Sequence, residues 1–397
     1  MSEVNNTYKW VMIALFTAVA GVSQMLWLNF APLISQLIEK YNQSESMISL
    51  LILVFPLLYV IFSIPSGSMV DKRGYKYAVG FGSILMAIGA IMRIFNANFY
   101  VLLVAQIIIA IGQPYVVNGI SKLVADWFPK EEHALATGLG TVGMFIGMAL
   151  GLGLTPALVD GNDLTKAMVV FAVISVVSAA AFIIFTKENN KAHHLPKELT
   201  GLKEFRILLK NKDLVLLFII SFLALGYFNG LTTWMEPILE INGFNAESAG
   251  LAGAMLIVGG ILGAIIIPAF SDRFKQRKPF LIGCCLIGLT ITYPFLMVTS
   301  YSTLLIVGGI LGFFFLPGYA LLLTMSEEIA GAEKAGAATS LLMLTGNAGG
   351  TIVIIAMQMV KGNQTSWFNA IILIMALLVL ALLLGVFVSE SYDKADN

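Results

Sequence analysis

Twelve long apolar segments determine what this chain can fold into. Each holds roughly 20 residues or more, and an α-helix of that length crosses the ~30 Å hydrocarbon core of a bilayer at about 1.5 Å per residue. The segments are residues 10–35, 47–70, 77–96, 99–125, 134–158, 164–186, 214–241, 247–271, 279–299, 302–326, 336–360 and 367–389. The pattern predicts an all-α membrane protein with twelve transmembrane helices in two pseudo-symmetric six-helix bundles.

Composition supports a lipid environment. The chain is 58% hydrophobic and 12% charged, whereas soluble domains carry about 25% charged residues and need them to cover the core. The formal net charge is zero, which gives no reason to expect a nucleic-acid partner. Glycines four residues apart, at 143, 147 and 151, are typical of close helix packing in membranes, and the adjacent Cys284 and Cys285 are interpreted as apolar filler.

One hydrophilic stretch divides the segments six and six. We expect an N-terminal bundle over residues 1–186, a cytoplasmic linker over 187–213 and a C-terminal bundle over 214–397. Within the linker, LKEFRILLK has the pattern of an amphipathic helix lying on a membrane surface.

The positions of Lys and Arg orient the predicted helices. With a cytoplasmic N-terminus, all but five of the 23 basic residues fall on the inner side, which is where such residues concentrate. The exceptions are Lys122, within a helix, and Lys40, Arg93, Lys166 and Lys361. We therefore predict a multi-pass protein of the cell membrane with both termini cytoplasmic.

The two halves contain a repeated pattern. Asp71, in SGSMVDKRGYK, closes the second segment, and Asp272, in IPAFSDRFKQRK, closes the eighth, 201 positions later. At the same offset Glu132-His133-Ala134 matches Glu333-Lys334-Ala335. Two matches at one offset indicate an internal repeat.

The charged loops around the two aspartates are predicted to form a conformational latch. A glycine at 67 allows another helix to come close, and Asp71 can then reach a facing helix N-terminus or a basic side chain. The predicted latch residues are Gly67, Asp71, Arg73, Asp272 and Arg273. The alternative is that these charges only set membrane topology.

The sequence GSMVDKRGYK resembles the loop 2–3 signature of the major facilitator superfamily. It departs from that signature at Lys72, where the family usually has Arg, and at Tyr75, where a base is common. In the second copy Pro268 takes the place of the first glycine. The resemblance implies the major facilitator fold and transport by alternating access, with substrate bound between the halves.

Polar and aromatic residues within the segments are the candidate substrate contacts, because each is costly in lipid. They are Gln24, Trp27, Asn29, Gln113, Tyr115, Asn118, Tyr227, Asn229, Trp234, Tyr319 and Asn347. No ionisable residue lies near the middle of a segment, which favours a neutral solute or a quaternary ammonium held against aromatic rings. For any single residue the alternative is a structural role, since amides join membrane helices and aromatics fill space.

Two longer stretches, GQPYVVNGISKLVADWFPKEEHALATGLGTVGMFIG and GFFFLPGYALLLTMSEEIAGAEKAGAATSLLMLTGNAGG, resemble the feline leukaemia virus subgroup C receptor branch. That branch is associated with choline, ethanolamine and haem transport. The resemblance places its helix 4 and helix 11 glutamines on Gln113 and Asn347. Its helix 1 Trp falls near Gln24, one turn before Trp27, and its helix 7 Tyr falls near Asn229, beside Tyr227.

We therefore expect a facilitative carrier of a small neutral or cationic organic solute, with a choline-like amine favoured. The alternatives are a multidrug or metabolite exporter, and a substrate sensor or receptor of the same fold that does not transport. An enzyme, a cofactor and a metal are not expected, because the sequence shows no nucleophile–base pair or ligand cluster. The expected partners are a small-molecule substrate and the lipid bilayer, and the protein is expected to be a monomer.

Overall fold

The computed structural model describes residues 3–129, 132–188, 201–331, 334–362 and 366–392, and these are almost entirely helical. The helices are α1 (Glu3–Leu28), a 3-10 turn (Ala31–Leu33), α2 (Ile34–Tyr41), α3 (Glu45–Met92), α4 (Phe99–Val117), α5 (Ile120–Trp127), α6 (His133–Leu158), α7 (Thr165–Phe185), α8 (Gly201–Leu208), α9 (Lys212–Ile241), α10 (Ala246–Phe274), α11 (Lys278–Met297), α12 (Tyr301–Ala330), α13 (Ala335–Lys361) and α14 (Phe368–Phe387). In the described residues, 11 continuous helical stretches are long and apolar enough to cross a membrane.

Helix α3 supplies two of the predicted spans. It has 48 residues and is interrupted at Gly74, whose φ of 83° and ψ of 162° are not helical. Before the break, the Ser63 carbonyl oxygen accepts a hydrogen bond from the Asn118 side chain at 3.3 Å. After the break, the Val79 side chain lies so close to Gly119 that a Cβ on Gly119 would overlap it. In a straight helix Ser63 and Val79 would lie about 24 Å apart. The chain therefore folds back at Gly74, and the two arms of α3 raise the number of crossings to the twelve expected.

The chain forms two compact units, residues 1–195 and 196–397. In the N-terminal unit α1 packs on α6, and α3 packs on α4 and α7. In the C-terminal unit α9 packs on α13, α10 on α12, and α11 on α14. The first, second and third crossings of the C-terminal unit thus pair with its fifth, fourth and sixth, and the first and fifth crossings pair in the N-terminal unit too, as an internal repeat predicts.

Two sequence predictions fall partly outside the described residues. Of the predicted linker 187–213, residues 189–200 lie outside, and α8 occupies the portion predicted as an amphipathic helix. Glu333, in the second copy of the repeated Glu-x-Ala pattern, also lies outside the described ranges.

Glycines bring helices into backbone contact in both units. A Cβ on Gly147 of α6 would overlap the backbone of Gly21 on α1, and one on Gly151 would lie 2.7 Å from the Met25 carbonyl oxygen. In the C-terminal unit a Cβ on Gly259 of α10 would overlap the Gly309 backbone of α12. The contacts of Gly147 and Gly151 hold α1, the helix that carries the candidates Gln24 and Trp27, against α6.

Candidate functional site

The first predicted span is interrupted at its candidate residues. Helix α1 ends at Leu28, a 3-10 turn begins at Ala31, and α2 continues from Ile34. Pro32 lies in that turn and has no N–H to donate to a preceding carbonyl. Interrupted helices in transporters commonly mark the binding site, because they release backbone groups at the depth of the substrate.

Trp27 lies immediately before this interruption. Its side chain is 8% exposed, and its ring packs on Phe55 of α3 with centroids 6.4 Å apart. The indole N–H is buried and has no hydrogen-bond partner within the described part of the chain. A buried donor left unpaired costs about 1–3 kcal/mol, so it identifies a place where a ligand can supply the acceptor.

Three carboxamides accompany Trp27 in the N-terminal unit. Gln24 makes one weak bond, Nε2 to the Ser23 hydroxyl at 3.3 Å. Both side-chain polar atoms of the fully buried Asn29 lack a partner among the described residues. Gln113 of α4 is two turns beyond Gln106, on the same helix face. Because Gln106 donates to the Leu26 carbonyl at 3.3 Å, that face is directed at α1.

The other two N-terminal candidates are packing residues in this structure. Tyr115 meets Phe81 of α3 edge to face at 5.1 Å. Asn118 accepts a hydrogen bond from Tyr59 at 2.9 Å and donates to Ser66 at 2.7 Å, which joins α4 to the first arm of α3. The sequence predicts both as substrate contacts; in this structure the Tyr115 ring and the Asn118 side-chain amide contact the neighbouring helix α3.

Three C-terminal candidates are also engaged within their own unit. Tyr227 of α9 is fully buried, shares a 2.5 Å hydrogen bond with Thr292 of α11, and packs on Phe315. Trp234 donates to the Ile354 carbonyl at 3.1 Å and packs on another tryptophan. Asn229 donates to the Leu225 carbonyl at 2.8 Å, and only its Oδ1 is left unpaired in the described part of the unit.

The remaining C-terminal candidates are partly accessible. Tyr319 of α12 and Asn347 of α13 are both half-buried. The Asn347 Nδ2 donates to the Met343 carbonyl at 2.9 Å, one turn earlier on its own helix. Its side-chain oxygen, Oδ1, makes no bond to any described residue, so Asn347 still offers an acceptor.

The structure also buries charged residues that the sequence places near helix ends. Arg93 is 1% exposed and Glu236 is 3% exposed. Lys361 is buried as well, with its ammonium 4.8 Å from the Trp367 ring centroid. The sequence favours a neutral or cationic solute because no ionisable residue lies near the middle of a segment, whereas the structure shows that Arg93, at a segment end, is nevertheless a buried base. Its only signal in the sequence is a lone base at the end of an apolar segment.

The predicted latch residues of the first loop do not bond to one another in the described structure. A Cβ on Gly67 would meet no atom within 4 Å, so the close helix approach expected there is absent from the described structure. Arg73 donates to the Tyr77 hydroxyl at 2.7 Å. Asp71 is exposed and makes no hydrogen bond or ion pair to any residue in the described ranges.

The second loop contains a charge network centred on a residue the sequence analysis missed. Arg277 forms an ion pair with Asp272 and another with Glu328 of α12 at 3.0 Å. Arg273, which the sequence predicts as a latch residue, is exposed and makes no bond to the described residues. Burial lowers the pKa of Arg277, but its bonds to Glu328 and Asp272 outweigh burial, and the pKa is raised.

The network extends to the residues after α14. The Ser391 hydroxyl donates to Glu328 at 2.5 Å, and the backbone N–H of Arg277 donates to Glu390 at 2.8 Å. Partial burial raises the pKa of Glu390, but N–H donors from Arg277, Lys278, Ser391 and Tyr392 more than offset it, so the pKa is lowered. The network thereby ties α10, α11, α12 and the end of α14 together.

Comparison with known proteins identifies the family. The family model described as Major Facilitator Superfamily matches residues 13–354 and, in a second match, residues 237–397. The chain belongs to the Major Facilitator Superfamily. Membership of the Major Facilitator Superfamily confirms the expected fold and a multi-pass transporter in a membrane.

Similar proteins from animals support the narrower resemblance. Over 321 residues the chain is 26% identical to solute carrier family 49 member A3 of Xenopus tropicalis, with 74% of this chain and 65% of that protein aligned. It is 26% identical to the human choline/ethanolamine transporter FLVCR2, with 68% of this chain and 56% of that protein aligned. The chain thus spans under two thirds of either relative.

Solved structures agree on the major facilitator fold. A bacterial homologue of the human lysosomal transporter Spinster superposes with a TM-score of 0.76 at 15% identity, covering 99% of this chain and 98% of that one. The Escherichia coli fucose:proton symporter FucP, as its N162A variant, superposes with a TM-score of 0.67 at 16% identity, covering 96% of this chain and 99% of that one. At such identities the similarity shows the fold alone.

Proposed function

We propose that this major facilitator protein carries a small neutral or cationic organic solute by alternating access, without a coupled ion, and that a choline-like amine is the favoured class. Trp27 carries the proposal. It is 8% exposed, its indole N–H is buried without a partner among the described residues, and neutral amides accompany it on its own helix and on α4. The printed names of relatives such as the human choline/ethanolamine transporter support the same class.

The proposed contacts follow from which polar groups are left available. Among the described residues, Gln24, Trp27, Asn29 and Gln113 retain unused donors or acceptors in the N-terminal unit, and Asn347 retains its side-chain oxygen in the C-terminal unit. Tyr319 is proposed as a contact because it is half-buried, not because its hydroxyl is free. An aromatic face attracts an ammonium group by about 0.5–2 kcal/mol. Carboxamides can bond a hydroxyl or an amine without adding charge.

Uptake of labelled choline and ethanolamine into proteoliposomes tests the proposal. We expect uptake to rise with an inside-negative potential, which supplies ~2.3 kcal/mol per charge per 100 mV, and to respond little to a pH gradient. Trp27→Ala should lower the ratio of maximal rate to KM by about 2- to 30-fold, the range that corresponds to one cation–π contact. Gln113→Ala should also lower it, by loss of an amide contact.

Trp10→Ala is the matched control, because Trp10 lies on the same helix and is 38% exposed. Its uptake should equal that of the unmodified protein. Choline binding without any flux would favour the sensor or receptor alternative, and efflux of many unrelated drugs would favour the exporter. Pumping of a carboxylate driven by a pH gradient, with Trp27→Ala and Gln113→Ala both fully active, would refute the proposed site and substrate class.

We also propose that Asp71 acts as the latch of the first loop in a conformation other than the one described. Asp71→Asn should lower the maximal uptake rate several-fold, by shifting the balance between the two access states. Because Asp71 is exposed and makes no bond to the described residues, the melting temperature should stay within about 1–2 °C, as for other surface changes. Lys72→Gln, the exposed neighbour, is the control. Unchanged flux in Asp71→Asn would leave the loop with a topological role only.

A further inference from the structure

Arg93 is a buried base whose bonds are all to neutral groups in the described structure. It follows α3 directly and is 1% exposed. Its guanidinium donates to the Gln106 side chain at 3.2 Å and to the Met168 sulfur at 3.4 Å, and it lies 4.6 Å from the Phe30 ring centroid. A buried charge without a counter-ion is costly, so a specific arrangement of dipoles must stabilise it.

The C-terminal end of α1 supplies these dipoles. In a continuous helix the Leu26 carbonyl would accept from the Phe30 N–H, but the helix ends before Phe30. The carbonyl accepts instead from Gln106 at 3.3 Å and from Arg93 at 3.5 Å. Because the C-terminal end of a helix carries about half a negative charge, a guanidinium there stabilises the interruption rather than a continuous helix.

The same short segment also holds the far end of α2. Asn96 accepts from the Lys40 ammonium at 2.9 Å through its side chain and from the Tyr41 hydroxyl at 2.6 Å through its carbonyl. Residues 93–96 therefore bond to the chain on both sides of the 3-10 turn. This fixes the position of α2 relative to the end of α1.

We propose that Arg93 is a positioning residue for the solute site, an inference that rests on the proposed function. By capping α1 at Leu26 it keeps the interruption in place. It thereby holds Trp27 with its indole N–H, and Asn29 with its side-chain amide, unpaired among the described residues. Arg93 does not touch the solute, and it acts through the geometry of Trp27 and Asn29.

Hydrogen–deuterium exchange of the purified full chain tests this without any ligand. Arg93→Met keeps a long apolar side chain but removes the charge and the donors. We expect exchange of peptides covering residues 26–41 to accelerate about tenfold or more, as a local opening would require, while peptides of α14 exchange at the unmodified rate. Arg93→Lys, which keeps the charge at the helix end, should stay close to the unmodified protein. Arg206→Met, at an exposed position, is the control.

Choline binding gives the second measurement. Arg93→Met should raise Kd about tenfold, the factor expected on loss of one hydrogen bond to a charged group, and Arg93→Lys should restore most of the affinity. If Arg93→Met is too unstable to purify, Gln106→Leu removes the other donor to Leu26 and should give the same local pattern, more weakly. Failure of the unmodified protein to bind any amine would refute the proposed function, and the exchange experiment would still decide the role of Arg93. Unchanged exchange over residues 26–41, or equal acceleration in every span, would overturn the positioning role.

Discussion

Replacing Arg277 by methionine should lower the free energy of unfolding by about 3–5 kcal/mol, the cost typical of removing one partner from a buried ion pair. The substitution leaves Glu328, whose side chain is 13% exposed, without the guanidinium 3.0 Å away that precedes α11. Asp272 contributes less, because its side chain is 60% exposed and water can solvate it. Thermal or chemical denaturation of the purified protein measures the change.

Arg273→Met is the matched control, since Arg273 lies four residues away in the last turn of α10 and is exposed without a bond to the described residues. It should change the free energy of unfolding by no more than about 0.5 kcal/mol, as surface substitutions do. The double variant Arg277→Met with Glu328→Gln should recover part of the loss, because no buried carboxylate is then left unpaired. Equal losses in the Arg277 and Arg273 variants would show that the network does not hold the unit together.

Most of the fold could be predicted because hydropathy alone fixes where a helix can cross a bilayer. The predicted segment 164–186 corresponds to Thr165–Phe185, and 336–360 corresponds to Ala335–Lys361. Interruptions were harder to predict. The chain reversal at Gly74 follows a motif whose glycine needs a positive φ, but the break after Leu28 depends on tertiary bonds from Arg93 and Gln106 that no local pattern contains.

The candidate site was less predictable for a physical reason. A polar or aromatic residue in a span is there to bond something, but the sequence does not show whether its partner is a neighbouring helix or a ligand. Tyr227 and Asn118 find their partners within their own units, while the Trp27 indole and the Asn29 amide do not among the described residues. Whether such a candidate joins helices or is left to bind a ligand can therefore be decided only when its hydrogen bonds are known.

Backbone contact between α1 and α6 ties the stability of the N-terminal unit to the position of the candidate site. A Cβ on Gly147 would overlap the Gly21 backbone, and a backbone carbonyl cannot move aside as a flexible side chain can. Gly147→Ala should therefore separate the two helices and lower the free energy of unfolding by about 1–3 kcal/mol, the usual cost of overpacking. Because α1 carries Trp27, solute uptake should fall together with stability.

Gly138 provides the control on the same helix. A Cβ there would meet no atom within 4 Å, and alanine is favoured over glycine in a helix by about 1 kcal/mol. Gly138→Ala should therefore be neutral or slightly stabilising and leave uptake unchanged. Both substitutions gain helix propensity, so changes of opposite sign in the free energy of unfolding would isolate the packing effect at Gly147. If Gly147→Ala is as stable and active as Gly138→Ala, then α6 does not hold α1 by direct backbone contact.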